Sequence, residues 1–440
     1  MPPQKIDLLL HSQWLIPVIP ENQILDNYSI AVHGGRIIDL MPQAEARQHY
    51  TAAQEVELGR HIVMPGLINT HSQGTMRLLR GHSNPSSMDN WLETYAQPAE
   101  HNLIDSDLIY NSSQLAMAEM IKTGTTCFAE MYFPDQALID AVREVGLRSQ
   151  ISFMVLDNPT YSAQTADEYI HRGLHLYDSL GNHPLLKMAC APLNLNSIPN
   201  PVMQRLSIFT DELDLPLQVP CHKTGSEIEE SETQYGCRPL NRLQDMGLLL
   251  PDTQLVHMNQ ISPDDMQLLE LSNSQIIHCP VSSIKAGESC PIDRLTEANL
   301  NVSLGTEGTA ANNSLDLFEE LKICALMASS GTSDAHNFEI HRALRLATIN
   351  GAKTLGWEQE IGSIEIGKYA DIIALEIDPI TQQPLYNPHS QLLHNAKSTQ
   401  VSHHWVAGQA LMTDRKLVSL NEQKLARRTN TWHEKMLNSQ

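Results

Sequence analysis

The sequence predicts an α/β chain: a (β/α)8 TIM-like barrel with a small composite β-sandwich domain assembled from its N- and C-terminal segments. Three observations lead there. Short apolar runs alternate with amphipathic helical stretches from about residue 62 to 355. Strand-and-turn patterns without such helices flank that region on both sides. The 440 residues accommodate one barrel of roughly 250–300 residues plus a smaller module.

The candidate barrel strands are 62–71, 125–133, 149–157, 186–193, 215–222, 253–258, 274–280 and 301–308. Eight strands alternating with helices imply a parallel sheet, and eight is the number that closes a barrel. Residues 6–60 read as short strands with a hairpin turn at Gly34–Gly35, which suits a small antiparallel sheet. The strand pattern returns after about residue 360 in IGSIEIGKYADIIALEID and VSHHWVAGQALM. Each end alone has too few strands to bury a face, so one composite domain is expected. The boundaries follow: 1–61 for its first part, 62–358 for the barrel, 359–425 for its second part, and 426–440 as a C-terminal tail.

Composition narrows the function. Hydrophobic residues make up 41% and charged residues 18%, so a large core is available. The 29 Lys and Arg face 51 Asp and Glu, a net charge of -22. That field repels phosphate backbones and anionic lipid surfaces, so neither nucleic acid nor a membrane is an expected partner. No apolar run approaches the roughly 20 residues that span a bilayer, and the first residues lack a cationic lead and a cleavage site. The seven cysteines are scattered without a CxxC pair, which fits free thiols in a reducing cytoplasm.

Several strings then converge. MPGLINTH at 64–71 ends the first barrel strand on a histidine, VHM at 256–258 and HCP at 278–280 end two others, and GTEG at 305–308 ends the eighth. GSIEIGKYADI follows at 362–372. Together they resemble the amidohydrolase superfamily, in its branch of methylthioadenosine/S-adenosylhomocysteine deaminases and related chlorohydrolases, over nearly the whole chain. The resemblance implies a divalent metal, zinc or another, at the strand C-termini. A His-x-His pair would hold it from strand one, with a His from strand five and an Asp from strand eight, while a strand-six His, here His257, would orient or polarise the nucleophilic water. A strand-five Glu would move protons while the metal makes hydroxide near neutral pH.

This sequence departs from that pattern where the chemistry sits. His71 is present, but Gln73 replaces the second histidine of the pair, and an amide oxygen is a weak zinc ligand. Pro220 stands where a His is expected and Lys223 where the Glu is expected. His257 is present on strand six, and Glu307 replaces the Asp. Leu193 stands where the family shows a substrate-proximal His, and Glu130 where it shows an Asp. His222 shares a strand face with Pro220. It would complete a four-group site with His71, His257 and Glu307, or line the pocket without a metal; the second reading is preferred.

The pocket is expected to survive. Trp91 and Glu100, nine residues apart, match the loop after strand one, where the Glu would accept hydrogen bonds from ribose hydroxyls. Arg148 matches an Arg of this branch, and His278 is expected to support the pocket wall. The resulting expectation is a deaminase-type barrel that binds a small nucleoside-like molecule, has lost or strongly impaired hydrolysis, and forms a homodimer or higher homo-oligomer in the cytoplasm. The alternative is an active hydrolase of C–N bonds on a remodelled site of His71, His222, His257 and Glu307. A further option is Lys223, desolvated and of lowered pKa, acting as base or nucleophile.

Overall fold

The computed structural model describes residues 3–81, 104–133, 135–308, 311–330 and 340–438. Among them the strands are β1 (Gln4–Leu15), β2 (Leu25–His33), β3 (Arg36–Pro42), β4 (Tyr50–Pro65), β5 (Leu67–Gln73), β6 (Thr125–Tyr132), β7 (Arg148–Val155), β8 (Leu186–Pro192), β9 (Gln218–Cys221), β10 (Gln254–His257), β11 (Gln275–His278), β12 (Val302–Leu304), β13 (Glu307–Gly308), β14 (Ile372–Glu376), β15 (Val401–Val406), β16 (Gln409–Thr413) and β17 (Lys416–Leu417). The chain divides into two compact units: residues 1–68, 118–127 and 316–421, and residues 69–117, 128–315 and 422–440.

The barrel consists of two parallel arcs, in the orders β13-β5-β6-β7-β8 and β12-β11-β10-β9. They join at both ends. Cys190 of β8 bridges Leu217, just before β9. On the other side β12 and β13 are two halves of one strand, broken at Gly305–Thr306. Gly305 N donates to His278 O and Thr306 N to His71 O, both at 2.9 Å. The first half thus bonds β11, the second half bonds β5, and the cylinder closes. Gly305 is required there, since a Cβ would lie 2.8 Å from that of His71. Every residue of β6 and β7 is buried, the mark of parallel strands covered on both faces. Some of the connecting helices start on side-chain caps. Thr165 accepts from Glu168 N, and Ser262 forms a reciprocal capping box with Asp265.

In the first unit the outer strands make one sheet in the order β17-β16-β15-β14-β4-β1-β2-β3. The two chain ends meet at β4, which pairs with β1 on one side and β14 on the other. The sheet curls until the β3 end bonds the segment before β14, through Gly367 N to Ile37 O and Ile37 N to Lys368 O at 2.8 Å. Leu10, Leu15, Ile30, Ile372 and Trp405 fill the interior of this sandwich.

Three expectations need correction. The N-terminal strands are not wholly antiparallel: β1 and β4 run parallel, because β2, β3 and the helix Gln43–His49 form the crossover that a parallel pair needs. The first barrel strand is not 62–71. Residues 62–65 pair with β14 in the outer sheet, and the barrel strand begins at Leu67. Residues 426–440 are not a tail up to Asn438; they belong to the helix Glu422–Asn438, which buries Trp432 and Met436.

Gly66 sits at that change of sheet. A Cβ there would lie 2.0 Å from Thr126 Cγ2, and Thr126 is buried and stiff at χ1. Gly66→Ala is expected to cost about 1–3 kcal/mol of stability through overpacking, read as a lower urea midpoint. Gly59→Ala, where nothing lies within 4 Å of the added carbon, is the control and should leave the midpoint nearly unchanged.

Candidate active site

The residues singled out on the strand ends gather at the C-terminal mouth of the barrel, in the second unit. The backbone there is strained. His222, His257, Met258 and Glu307 have φ of 55°, 83°, 48° and 61°, the left-handed region that costs non-glycine residues of order 1–3 kcal/mol each. These turns end β9 and β10 and form the last half of the eighth strand.

One carboxylate oxygen organises the mouth. Glu307 Oε1 lies 3.0 Å from Lys223 Nζ and 3.0 Å from His257 Nε2. Glu307 is buried, and Lys223 is a quarter exposed. Burial disfavours the Lys223 ammonium, but Glu307 beside it outweighs burial and raises its pKa. Burial likewise favours a neutral Glu307. Lys223 and then His257 outweigh it and hold the carboxyl well below its usual range. The pair is therefore ionised at neutral pH. This disposes of Lys223 as a base or nucleophile, because both need a depressed lysine pKa.

The imidazoles around the pair are neutral. Burial, then the Lys223 charge, pushes His257 down to about 4. Burial, then His257, pushes His278 to about 3. Burial lowers His71 as well. A carboxylate only accepts, so neutral His257 donates from Nε2 and its Nδ1 is bare; that nitrogen and both ring nitrogens of His278 are buried without a partner.

Three residues here carry donors suited to a divalent metal. His71, His257 and Glu307 remain as donors, Pro220 contributes none, and Gln73 offers an amide. An ion would have to share Glu307 with an ammonium group. Two unit charges at 4 Å repel by about 4 kcal/mol at an effective dielectric of ~20, and a divalent ion doubles that. Among the described residues, the one cluster with three ligand atoms close enough to share an ion is elsewhere: His11, Glu55 and Glu57 on the outer sheet. Arg47 already pairs with both carboxylates, 2.8 Å from Glu55 and 2.5 Å from Glu57.

His222 does not join the mouth. The strand ends at Cys221, and the positive φ that follows breaks the alternation that put His222 on the face of Pro220. Its Nδ1 lies 3.0 Å from Gln260 O, and its Nε2 accepts from Leu240 N at 3.3 Å. Both nitrogens are engaged, so the four-group site does not form. Arg148 is also misplaced as a pocket residue. It is the first residue of β7, fully buried, with Nη1 donating to Pro184 O. That is the N-terminal end of the strand, about 20 Å from the mouth at ~3.3 Å per residue. Leu193 follows β8 at the correct end and is half-buried. His278 ends β11 beside His257. Gln73 ends β5, close enough to Gly308 that a Cβ there would lie 2.6 Å from its Oε1. Trp91 and Glu100 lie outside the described residues. Glu130 is structural: it accepts from Ser72 Oγ, Gly74 N and Thr75 N at 2.7–2.9 Å.

Sequence reasoning missed Gln218. It sits two residues before Pro220, so strand alternation turns it inward, where its Oε1 meets His71 Nδ1 at 3.2 Å. That periodicity was the available signal.

Comparison with known proteins gives this geometry a lineage. The model of the amidohydrolase family matches residues 62–411. This chain belongs to the amidohydrolase family. It is 40% identical over 432 residues, 98% of each chain, to a 5-methylthioadenosine/S-adenosylhomocysteine deaminase of Teredinibacter turnerae. It is 35% identical to one of Saccharophagus degradans, covering 98% of this chain and 97% of that one. Among solved structures, an adenosine deaminase from Xanthomonas campestris with bound zinc superposes with a TM-score of 0.97 at 33% identity, covering 99% of this chain and all of that one. No described helix of this family member is long and apolar enough to cross a membrane.

The ion pair makes a pH prediction. The depressed Glu307 pKa contributes stability that is present above about pH 4.3, the unfolded value, and is lost as pH falls through the folded one. The raised Lys223 pKa contributes stability that is present below about pH 10.4 and is lost as pH rises through its folded value. Lys223→Met should lower unfolding free energy at neutral pH by about 2–3 kcal/mol, under the ~3–5 kcal/mol of fully buried pairs because Lys223 is partly exposed. It should also flatten the acid limb of urea midpoint against pH.

Proposed function

We propose that this chain is a deaminase-type amidohydrolase barrel whose hydrolytic activity is lost or strongly impaired and whose pocket still takes a nucleoside-like small molecule. One observation carries the reading: the Lys223 ammonium lies 3.0 Å from Glu307 Oε1, where the family resemblance calls for a metal-binding carboxylate and a proton-shuttling glutamate.

Deamination of an aminopurine needs an activated water and a group that takes its proton and passes it to the leaving nitrogen. Lys223 is held protonated and cannot accept. His257 has committed its N–H to Glu307. Loss of the acid/base group alone costs roughly 10²–10⁴ in rate. Zinc, the metal named with the Xanthomonas structure, finds no adequate ligand set in His71, Gln73, His257 and Glu307. The names of the Teredinibacter and Saccharophagus relatives support the ligand class, a 5-methylthioadenosine- or S-adenosylhomocysteine-like nucleoside. An active site remodelled around His222 is disfavoured, because both of its ring nitrogens are bonded elsewhere. A homodimer or higher homo-oligomer in the cytoplasm completes the proposal.

The test is metal analysis of the purified protein together with an ultraviolet deamination assay on adenosine, methylthioadenosine and S-adenosylhomocysteine. Substoichiometric zinc, negligible turnover and measurable nucleoside binding by calorimetry are expected. Stoichiometric zinc with turnover would overturn the proposal. The reversion Gln73→His, Leu193→His, Pro220→His, Lys223→Glu and Glu307→Asp is expected to gain zinc in the same metal analysis.

A further inference from the structure

Beneath the mouth a chain of buried amides crosses the barrel interior. Gln150 and Gln254 pair reciprocally, at 2.8 and 3.0 Å. Gln218 Nε2 donates to Gln254 Oε1 at 2.8 Å and to the carbonyl of Thr70 at 3.0 Å. Gln218 Oε1 lies 3.2 Å from His71 Nδ1. Gln150, Gln218, Gln254 and His71 are all at most 4% exposed.

Proton counting fixes this chain. A backbone carbonyl only accepts, so the end of Gln218 that faces Thr70 is its NH2 group. The other end, facing His71, is then the amide oxygen, which also only accepts. His71 Nδ1 must therefore carry the hydrogen. In a neutral imidazole a hydrogen on Nδ1 leaves Nε2 bare. Breaking this arrangement would strand polar groups in the barrel core without partners.

We propose that Gln218 is a positioning residue that locks His71 in its Nδ1–H tautomer and leaves Nε2 as the ring's sole acceptor. In water an imidazole side chain favours the opposite tautomer, so the protein selects the minor form. His257 is held the other way, with hydrogen on Nε2 for Glu307. The two histidines, with ring centroids 6.5 Å apart, thus have opposite tautomers set by different partners. A group that bonds His71 at Nε2 must donate, and an amino or hydroxyl hydrogen qualifies. The assignment goes beyond the proposed function and holds whether or not the mouth hydrolyses anything.

The experiment is nitrogen NMR of the full-length protein carrying 15N-labelled histidine near neutral pH, which separates protonated from bare ring nitrogens. His71 is assigned by the signals lost in His71→Asn. The wild type should show Nδ1 protonated and Nε2 bare. Gln218→Met should move His71 toward the Nε2–H form, and Gln218→Glu, which keeps an accepting oxygen, should retain Nδ1–H. Gln150→Met, at the far end of the chain, should leave His71 unchanged, which separates the contact from general loosening of the core. A wild-type ring protonated at Nε2, or a Gln218→Met ring identical to wild type, overturns the assignment. If Gln218→Met does not fold, the wild-type spectrum alone decides.

Discussion

The ion pair between Lys223 and Glu307 governs the electrostatics of the barrel mouth, and most of what surrounds it follows from its charge. A carboxylate buried to this degree is costly unless it is paired or well hydrogen-bonded, and Glu307 is held by the cation beside it. In a barrel of this lineage that cation is expected to be an exchangeable metal. Here it is covalently part of the chain. Among the described residues the mouth therefore carries the Lys223 and Glu307 charges beside the neutral imidazoles of His71, His257 and His278, and His257 is fixed as a donor because the carboxylate it faces cannot be one. A residue swap of glutamate for lysine changes three things at once: it removes a proton acceptor, it supplies a permanent counter-ion, and it repels any second cation.

The scaffold imposes constraints of its own at the same strand ends. His222, His257, Met258 and Glu307 have left-handed backbone, and the eighth strand breaks at Gly305–Thr306, which lets one strand bond two neighbours. Such strain costs stability and is held in place by the surrounding barrel. The strand ends present these side chains, while the barrel behind them supplies the packing. That separation is expected of a fold in which strands and helices carry stability and the C-terminal strand ends carry chemistry.

The barrel was readable in the sequence because its signal is long-period and redundant: eight apolar runs alternating with helices, each buried on both faces. The parallel pairing of β1 with β4 was not, since turn residues announce local hairpins and say nothing about a crossover through a seven-residue helix. At the site, Lys223, His257 and Glu307 were legible because intact neighbouring strings fixed their register. His222 was misread because alternation was extended one residue past the end of β9. Arg148 was misread because a family match outweighed its position at the start of a strand, the end remote from the chemistry. Gln218 carries no motif; a glutamine in an apolar strand declares itself only when the facing strand supplies His71.

That last residue shows what a barrel core can encode beyond packing. An unpaired donor inside a barrel is costly, so a network of amides has few favourable arrangements of its protons. Anchored by the single carbonyl of Thr70, the chain through Gln254 and Gln218 has one, and it ends by dictating which nitrogen of His71 carries hydrogen. Glu307 dictates the reverse for His257. The chemistry available at the mouth is thus set from below by neutral amides and from within by an ion pair.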